Sequence, residues 1–201
     1  MRFFRRAPGN PARLAVLSAA FNPPTRAHLA LAHAALDVAD EVLCVLPRVF
    51  PHAKTYRDVG LPRRVRMLDV ALSGDPRFSI SSSEGGLFIE IARECRSAYG
   101  LDVRMKFICG RDAAERVVNW NYGRPGAFLE MLREFEVLVA PRAGAYEPPP
   151  EMRDRVHALS VPAGYDDISG SEVRARIARG EPWEHLVPKA IVPLVREFYA
   201  R

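Results

Sequence analysis

Thr25 and His28 stand three residues apart, just beyond the apolar run Leu14 to Leu17 and a turn through Pro23 and Pro24. A strand ends, the chain turns and a helix begins, so both side chains share one face of the helix's first turn. The unpaired N–H groups of that turn attract anions. A hydroxyl and an imidazole beside them make a phosphate grip. The plainer reading has Asn22 capping the helix and His28 as a satisfied histidine. A second segment, Ile168-Ser169-Gly170-Ser171-Glu172-Val173-Arg174, repeats the theme near the C-terminus. Ser169 and Glu172 have the spacing of a capping box. Ser171 then lies at the positive end of the helix and Arg174 one turn along, which makes a second anion site. An ordinary capped helix would carry the same box.

The elements that must position these groups alternate between strand and helix patterns. Leu14 to Leu17, Glu41 to Leu46, Arg77 to Ser81, Val103 to Cys109, Glu136 to Ala140 and Val156 to Val161 read as strands. Helical spacing runs over Thr25 to Val38, Leu61 to Leu72 with Pro62 at its start, Leu87 to Ala98, a stretch after Asp112, and Ala127 to Arg133. Two helices close the chain, around Ser171 to Arg179 and Trp183 to Tyr199, parted by Gly180 and Pro182. Residues 47 to 60 read as a long loop, rich in Pro and basic side chains. Alternation of this kind predicts an α/β domain whose mostly parallel sheet of five or six strands carries helices on both faces. Ligands of such sheets bind beyond the carboxyl ends of the strands, where the strand order reverses.

Composition sets the outer bounds. With 201 residues the chain is expected to form a single domain, 1–201, large enough for a real core. Hydrophobic residues at 48% and charged residues at 26% are the balance of a soluble protein. The net charge of +5 suits an anionic partner and equally suits plain solubility. No nucleic-acid module or aromatic-basic stripe accompanies it, so no specific nucleic-acid partner is expected. Cys44, Cys95 and Cys109 are odd in number and widely spaced, which argues against a disulfide framework and a zinc site. They are expected to be buried and reduced, in keeping with a cytoplasmic protein. The basic segment 1–12 lacks the apolar stretch of a signal peptide and is expected to fray. No run reaches the ~18 apolar residues of a membrane helix. A homo-oligomer is compatible with all of this.

The string Ala20-Phe21-Asn22-Pro23-Pro24-Thr25-Arg26-Ala27-His28 resembles the signature of the nucleotidyltransferase superfamily. In its nicotinate and nicotinamide mononucleotide adenylyltransferase branch that signature reads G-G-S-F-N-P-x-H-x-G-H, and the pantetheine-phosphate branch has Thr for the first His. Phe21, Asn22, Pro23 and His28 match, and Thr25 matches the Thr variant. Ser18, Ala19 and Ala20 replace Gly-Gly-Ser, and Ala27 replaces a Gly, so side chains stand at 18, 19 and 27 where glycine would let the backbone approach a ligand, Ala19 and Ala27 each adding a methyl. The 168–174 segment is similar to the family's I-S-S-T-x-x-R, with Ser171 in the Thr position, and Leu186-Val187-Pro188 matches the L-V-P before its last helix. Gly110, Asp112 and Trp120 match the family's G-x-D and later Trp. His52 and Lys54 lie in a string similar to P-P-H-K, with one residue inserted or shifted. Residues 82–88, after the third strand, depart from the Tyr-Thr stretch that contacts the pyridine nucleotide in the bacterial nicotinate enzymes.

The resemblance implies a Rossmann-like nucleotidyltransferase fold, with residues 168–201 completing an ATP site. It implies that His28, Thr25 and Arg174 act in catalysis. Phe21, Asn22, Lys54, Gly110, Asp112, Ile168, Ser169 and Ser171 would hold ATP and its phosphates, and His52 and Trp120 the acceptor. The reaction would be attack by an acceptor phosphate oxygen on the α-phosphorus of ATP, with pyrophosphate leaving and magnesium bridging the phosphates. The nucleophile is already an anion, so no general base is needed. Nicotinate mononucleotide is the favoured acceptor, with nicotinamide mononucleotide close behind and NAD biosynthesis as the setting. Cytidylyl transfer and pantetheine-phosphate adenylylation fit the F-N-P and L-V-P strings less well. The alternatives are another phosphate-bearing acceptor, or a nucleotide-binding protein whose catalysis is impaired, as the lost glycines suggest.

Overall fold

The first apolar run becomes the middle strand of a seven-stranded sheet in the computed structural model, which describes residues 1–49, 59–141, 144 and 146–199. In chain order the elements begin β1 (Arg2–Arg5), β2 (Arg13–Ser18), α1 (Arg26–Ala35), β3 (Glu41–Pro47), α2 (Leu61–Ala71) and β4 (Phe78–Ser83). They continue α3 (Phe88–Tyr99), β5 (Arg104–Gly110), α4 (Arg111–Val118), α5 (Ala127–Met131) and β6 (Glu136–Ala140). They end β7 (Val156–Ala158), α6 (Gly170–Arg179) and α7 (Val192–Tyr199), with short 3-10 turns at Glu184–Leu186 and Lys189–Ile191. The sheet order is β1-β4-β3-β2-β5-β6-β7, and every pair but β1 with β4 is parallel.

That order locates a ligand crevice. From β2 the chain builds outward through β3 and β4, then returns to lay β5 on the other side of β2. The order reverses between β2 and β5, so the loops leaving those two strands part at the carboxyl edge of the sheet.

Side chains alternate across each strand. Leu14, Val16, Leu43, Val45, Met105 and Phe107 pack with α3, α4 and α5 on one face. Leu17, Val42, Cys44, Leu46, Phe78 and Ile80 pack with α1 and α2 on the other. A third cluster, including Met67, Ile168, Val173, Trp183, Ile191 and Val195, fastens the C-terminal elements onto α2. All three cysteines are buried without disulfides, and burial pushes their thiols up to about 12. Among the described residues no helix is long and apolar enough to cross a membrane.

Three expectations need correction. The N-terminal segment does not fray over its whole length: Arg2–Arg5 pairs antiparallel with β4 and is the strand that brings the sheet to seven. Phe3 lies edge-on to Tyr99 at 5.8 Å and Arg6 sits over both rings, at 4.9 Å and 4.8 Å. These partners are distant in sequence, so local pattern could not show them, and the added strand covers an edge of β4 that would otherwise be open. Strand β7 ends at Ala158 rather than Val161, because Val161 and Pro162 turn away to wall the crevice. The region 183–199 is two short turns followed by a helix from Val192, not one helix.

Strand β4 is buried throughout although four of its six residues are serines. Part of the explanation is a polar knot at its start. Glu41, almost fully buried, accepts from the Ser79 and Tyr99 hydroxyls at 2.5 Å each, and Ser79 Oγ accepts from the Ala7 N–H at 2.8 Å. Burial and the neighbouring carboxylate hold the Tyr99 phenol well above its usual range. Tyr99→Phe removes one donor from a buried carboxylate and should destabilise the fold by about 2 kcal/mol. Urea denaturation checks this, and an unchanged midpoint would show that the knot carries no stability.

Candidate active site

Strand β2 ends at Ser18, and the chain turns through residues 19–24 before α1. The cap of α1 is Thr25, not Asn22. Its side chain accepts from the His28 N–H at 3.4 Å, while its own N–H donates to His28 Nδ1 at 3.0 Å. Thr25 Oγ1 also lies 2.7 Å from His28 Nδ1. A backbone N–H can only donate, so Nδ1 is an acceptor and neutral His28 carries its proton on Nε2. The imidazole packs against the Phe21 ring at 5.1 Å. Thr25 is wholly buried, which leaves the ring little freedom at its Nδ1 end.

At the other end of the chain Ser169 caps α6, accepting from the Glu172 N–H at 3.1 Å. The expected capping box is only half made, because the Glu172 carboxylate accepts from Arg176 Nε at 2.7 Å. The amino ends of α1 and α6 both open on one cleft of about 480 Å³. Thr25, His28, Gly110, Asp112, Ile168 and Ser169 line it. Two helix amino ends, a hydroxyl cap and an imidazole N–H converge there, an arrangement suited to an anion with several oxygens. Gly110 caps α4 and Asp112 is inside its first turn. A Cβ on Gly110 would meet nothing within 4 Å, so its backbone faces open cleft.

The two signatures touch. Arg174 donates to the Asn22 carbonyl and, at 3.2 Å, to Ser171 Oγ. Gly170 lies so close to the first loop that an added Cβ would stand 2.9 Å from the Asn22 carbonyl oxygen, a backbone atom that can move only with its loop. Gly170→Ala should therefore push the two loops apart, at a cost of about 1–3 kcal/mol. Thermal denaturation together with nucleotide affinity would register it, and a variant with wild-type values for both would show that the loops are not in contact in solution.

Some residues fall elsewhere. Trp120 is 38% exposed just past α4 and does not line this cleft. His52 and Lys54 lie outside the described residues. Arg63, Arg64 and Arg66 belong to α2, inside the helix expected over Leu61 to Leu72. Arg64 is buried, and its Nη1 donates to the Ala20 carbonyl at 2.8 Å. Its spacing carried the signal: three residues after Leu61 and four before Leu68, it sits on the apolar stripe of the helix. Tyr199, which donates to the Asn22 side chain, had no such signal. The added methyls are accommodated: Ala19 packs into the α1–α2 core and Ala27 against the C-terminal cluster.

A family model described as cytidylyltransferase-like matches residues 17–176 of this chain. Among similar proteins is a probable nicotinate-nucleotide adenylyltransferase of Acidothermus cellulolyticus, 31% identical over 96% of this chain and 97% of its own length. Another with that name, from Moorella thermoacetica, is 28% identical over 92% of this chain and 90% of its own length. A solved Plasmodium falciparum nicotinic acid mononucleotide adenylyltransferase, complexed with NaAD, superposes with a TM-score of 0.72. It covers 94% of this chain and 96% of its own, at 14% identity, a likeness of fold.

Proposed function

The chain belongs to the cytidylyltransferase-like family, and we propose that it transfers AMP from ATP to nicotinate mononucleotide, releasing pyrophosphate. The observation that carries the reading is the convergence of the two signatures on one cleft, with Thr25 and His28 on one side and Ser169 on the other. The names borne by the Acidothermus and Moorella relatives support the choice of a pyridine mononucleotide as acceptor.

In this reading the Nε2–H of His28 donates a hydrogen bond to an oxygen of the α-phosphate as charge builds there. Thr25 fixes the ring that does so. The amino end of α6, with Ser169, Ser171 and Arg174, receives the β- and γ-phosphates. Phe21 and Asn22 shape the loop beneath them, Gly110 and Asp112 border the nucleoside, and Ile168 closes the wall. Lys54 and His52 are assigned to the phosphates and the acceptor on the resemblance alone, as is Trp120 to the pyridine ring. Magnesium arrives as MgATP. Among the described residues no group of three or more His, Cys, Asp or Glu is placed to hold a metal ion. Catalysis is alignment and neutralisation of charge, since the attacking phosphate is already an anion. The proposed setting is NAD biosynthesis in the cytoplasm.

The acceptor is tested by offering nicotinate mononucleotide, nicotinamide mononucleotide and phosphopantetheine separately with MgATP. The highest kcat/KM is expected for nicotinate mononucleotide. A higher value for phosphopantetheine would move the chain to another branch of the family.

A further inference from the structure

We propose that Tyr199, on the last helix, is a positioning residue for adenylyl transfer. Its phenol, donated to the Asn22 side chain, holds the loop that places Thr25 and His28. The proposal rests on the reading of the cleft given above.

Among the described residues, side chains from α2, α6 and α7 all hold the loop between β2 and α1. Arg64 of α2 donates to the Ala20 carbonyl at 2.8 Å, and Arg174 of α6 donates to the Asn22 carbonyl. Tyr199 of α7 donates to Asn22 Oδ1. The two arginines hold the backbone, and Tyr199 holds a side chain of the loop. Asn22 is 3% exposed, and its carbonyl lies where a Cβ added to Gly170 would stand only 2.9 Å from it, so the loop packs closely on the start of α6. Helix α7 is a fixed support, with Val195 buried in the third cluster and Phe198 beneath Arg63 at 5.2 Å.

What lies between Asn22 and Thr25 transmits the grip. Pro23 and Pro24 have ring-locked φ angles, so the link is stiff. A displacement of Asn22 must reappear at Thr25, whose N–H and hydroxyl set the imidazole of His28. Misplacing a reacting group by about 1 Å can cost about a hundredfold in rate. Tyr199 touches none of the reacting atoms. It acts through Asn22, so its effect belongs in kcat and in the mobility of the loop.

The test is a double-mutant cycle on the full chain with Tyr199→Phe and Asn22→Ala, read by amide hydrogen exchange over residues 19–28 and by steady-state kinetics. Tyr199→Phe should speed exchange there by about fivefold and lower kcat about tenfold, with KM for ATP within about twofold. In the Asn22→Ala background it should add less than about twofold to either effect. Asn22→Asp keeps the acceptor oxygen, so it should recover most of the kcat lost in Asn22→Ala and stay sensitive to Tyr199→Phe. Wild-type exchange and kcat in Tyr199→Phe would overturn the proposal. So would full independent effects of the two substitutions, or a change confined to thermal stability. Faster exchange in Tyr199→Phe, with no product from any acceptor in the wild type, would uphold the grip on the loop and overturn the proposed function instead.

Discussion

His28→Ala is expected to lower kcat by about two orders of magnitude while leaving ATP affinity within about threefold. The imidazole is held through Nδ1 by the Thr25 N–H at 3.0 Å, which places its proton on Nε2. A donor fixed in advance is worth more against charge that develops in the transition state than against charge already solvated in the ground state. Loss of one such donor costs about 3 kcal/mol, which is about a hundredfold in rate. The prediction separates His28 from a merely structural role, because unfolding would lower the active fraction and leave kcat per active site unchanged. His28→Ala also takes the partner from the Thr25 N–H, so its thermal midpoint should fall slightly. His28→Gln retains a donor and should recover part of the rate. Active-site titration with single-turnover rates makes the comparison, and wild-type turnover in His28→Ala would remove the residue from the mechanism.

The second large effect is expected at Arg174. Arg174→Ala should weaken ATP binding by about tenfold to a hundredfold, since a charge-assisted hydrogen bond contributes about 1.5–3 kcal/mol. The structure adds a second consequence. Arg174 donates to the Asn22 carbonyl, so its loss also loosens the loop that bears Thr25 and His28, and kcat should fall with affinity. Arg174→Lys keeps the charge and loses the planar fork. It should restore affinity more than kcat, because a point charge still attracts phosphate but holds a carbonyl less rigidly. Calorimetry of ATP binding alongside kinetics distinguishes the two contributions. Equal ATP affinity in Arg174→Ala and the wild type would place the phosphates elsewhere.

What the sequence disclosed depended on how local the chemistry was. Thr25 and His28 form their pair within one helical turn, so spacing alone put them together, and Ser169 was legible as a cap for the same reason. Spacing overreached at Glu172, whose carboxylate is drawn away by Arg176, a competitor on the same helix face. It also misplaced the cap of α1, since Asn22 is turned inward to receive Tyr199 and Thr25 takes the role. The alternation of strand and helix gave the parallel sheet, whose neighbouring strands are consecutive in the chain except where β5 returns to β2. It missed β1, because an antiparallel edge strand is recruited from a distant segment and held by Tyr99 and Asp69. The meeting of Arg174 with Asn22 joins positions 152 residues apart, and no local pattern encodes it. Arg64 carried a faint signal, a charge on an apolar stripe, which the surrounding basic residues obscured.

The central claim is that the two loops joined at Asn22 form one site for adenylyl transfer. Phosphorus NMR of the protein with MgATP and nicotinate mononucleotide tests it most directly, because substrate, dinucleotide and pyrophosphate are followed together. Equimolar appearance of pyrophosphate and the nicotinate dinucleotide, with ATP falling in step and no release of AMP, is the predicted result. ATP that binds but persists unchanged beside either pyridine mononucleotide would contradict the account and leave a nucleotide-binding protein without this transfer.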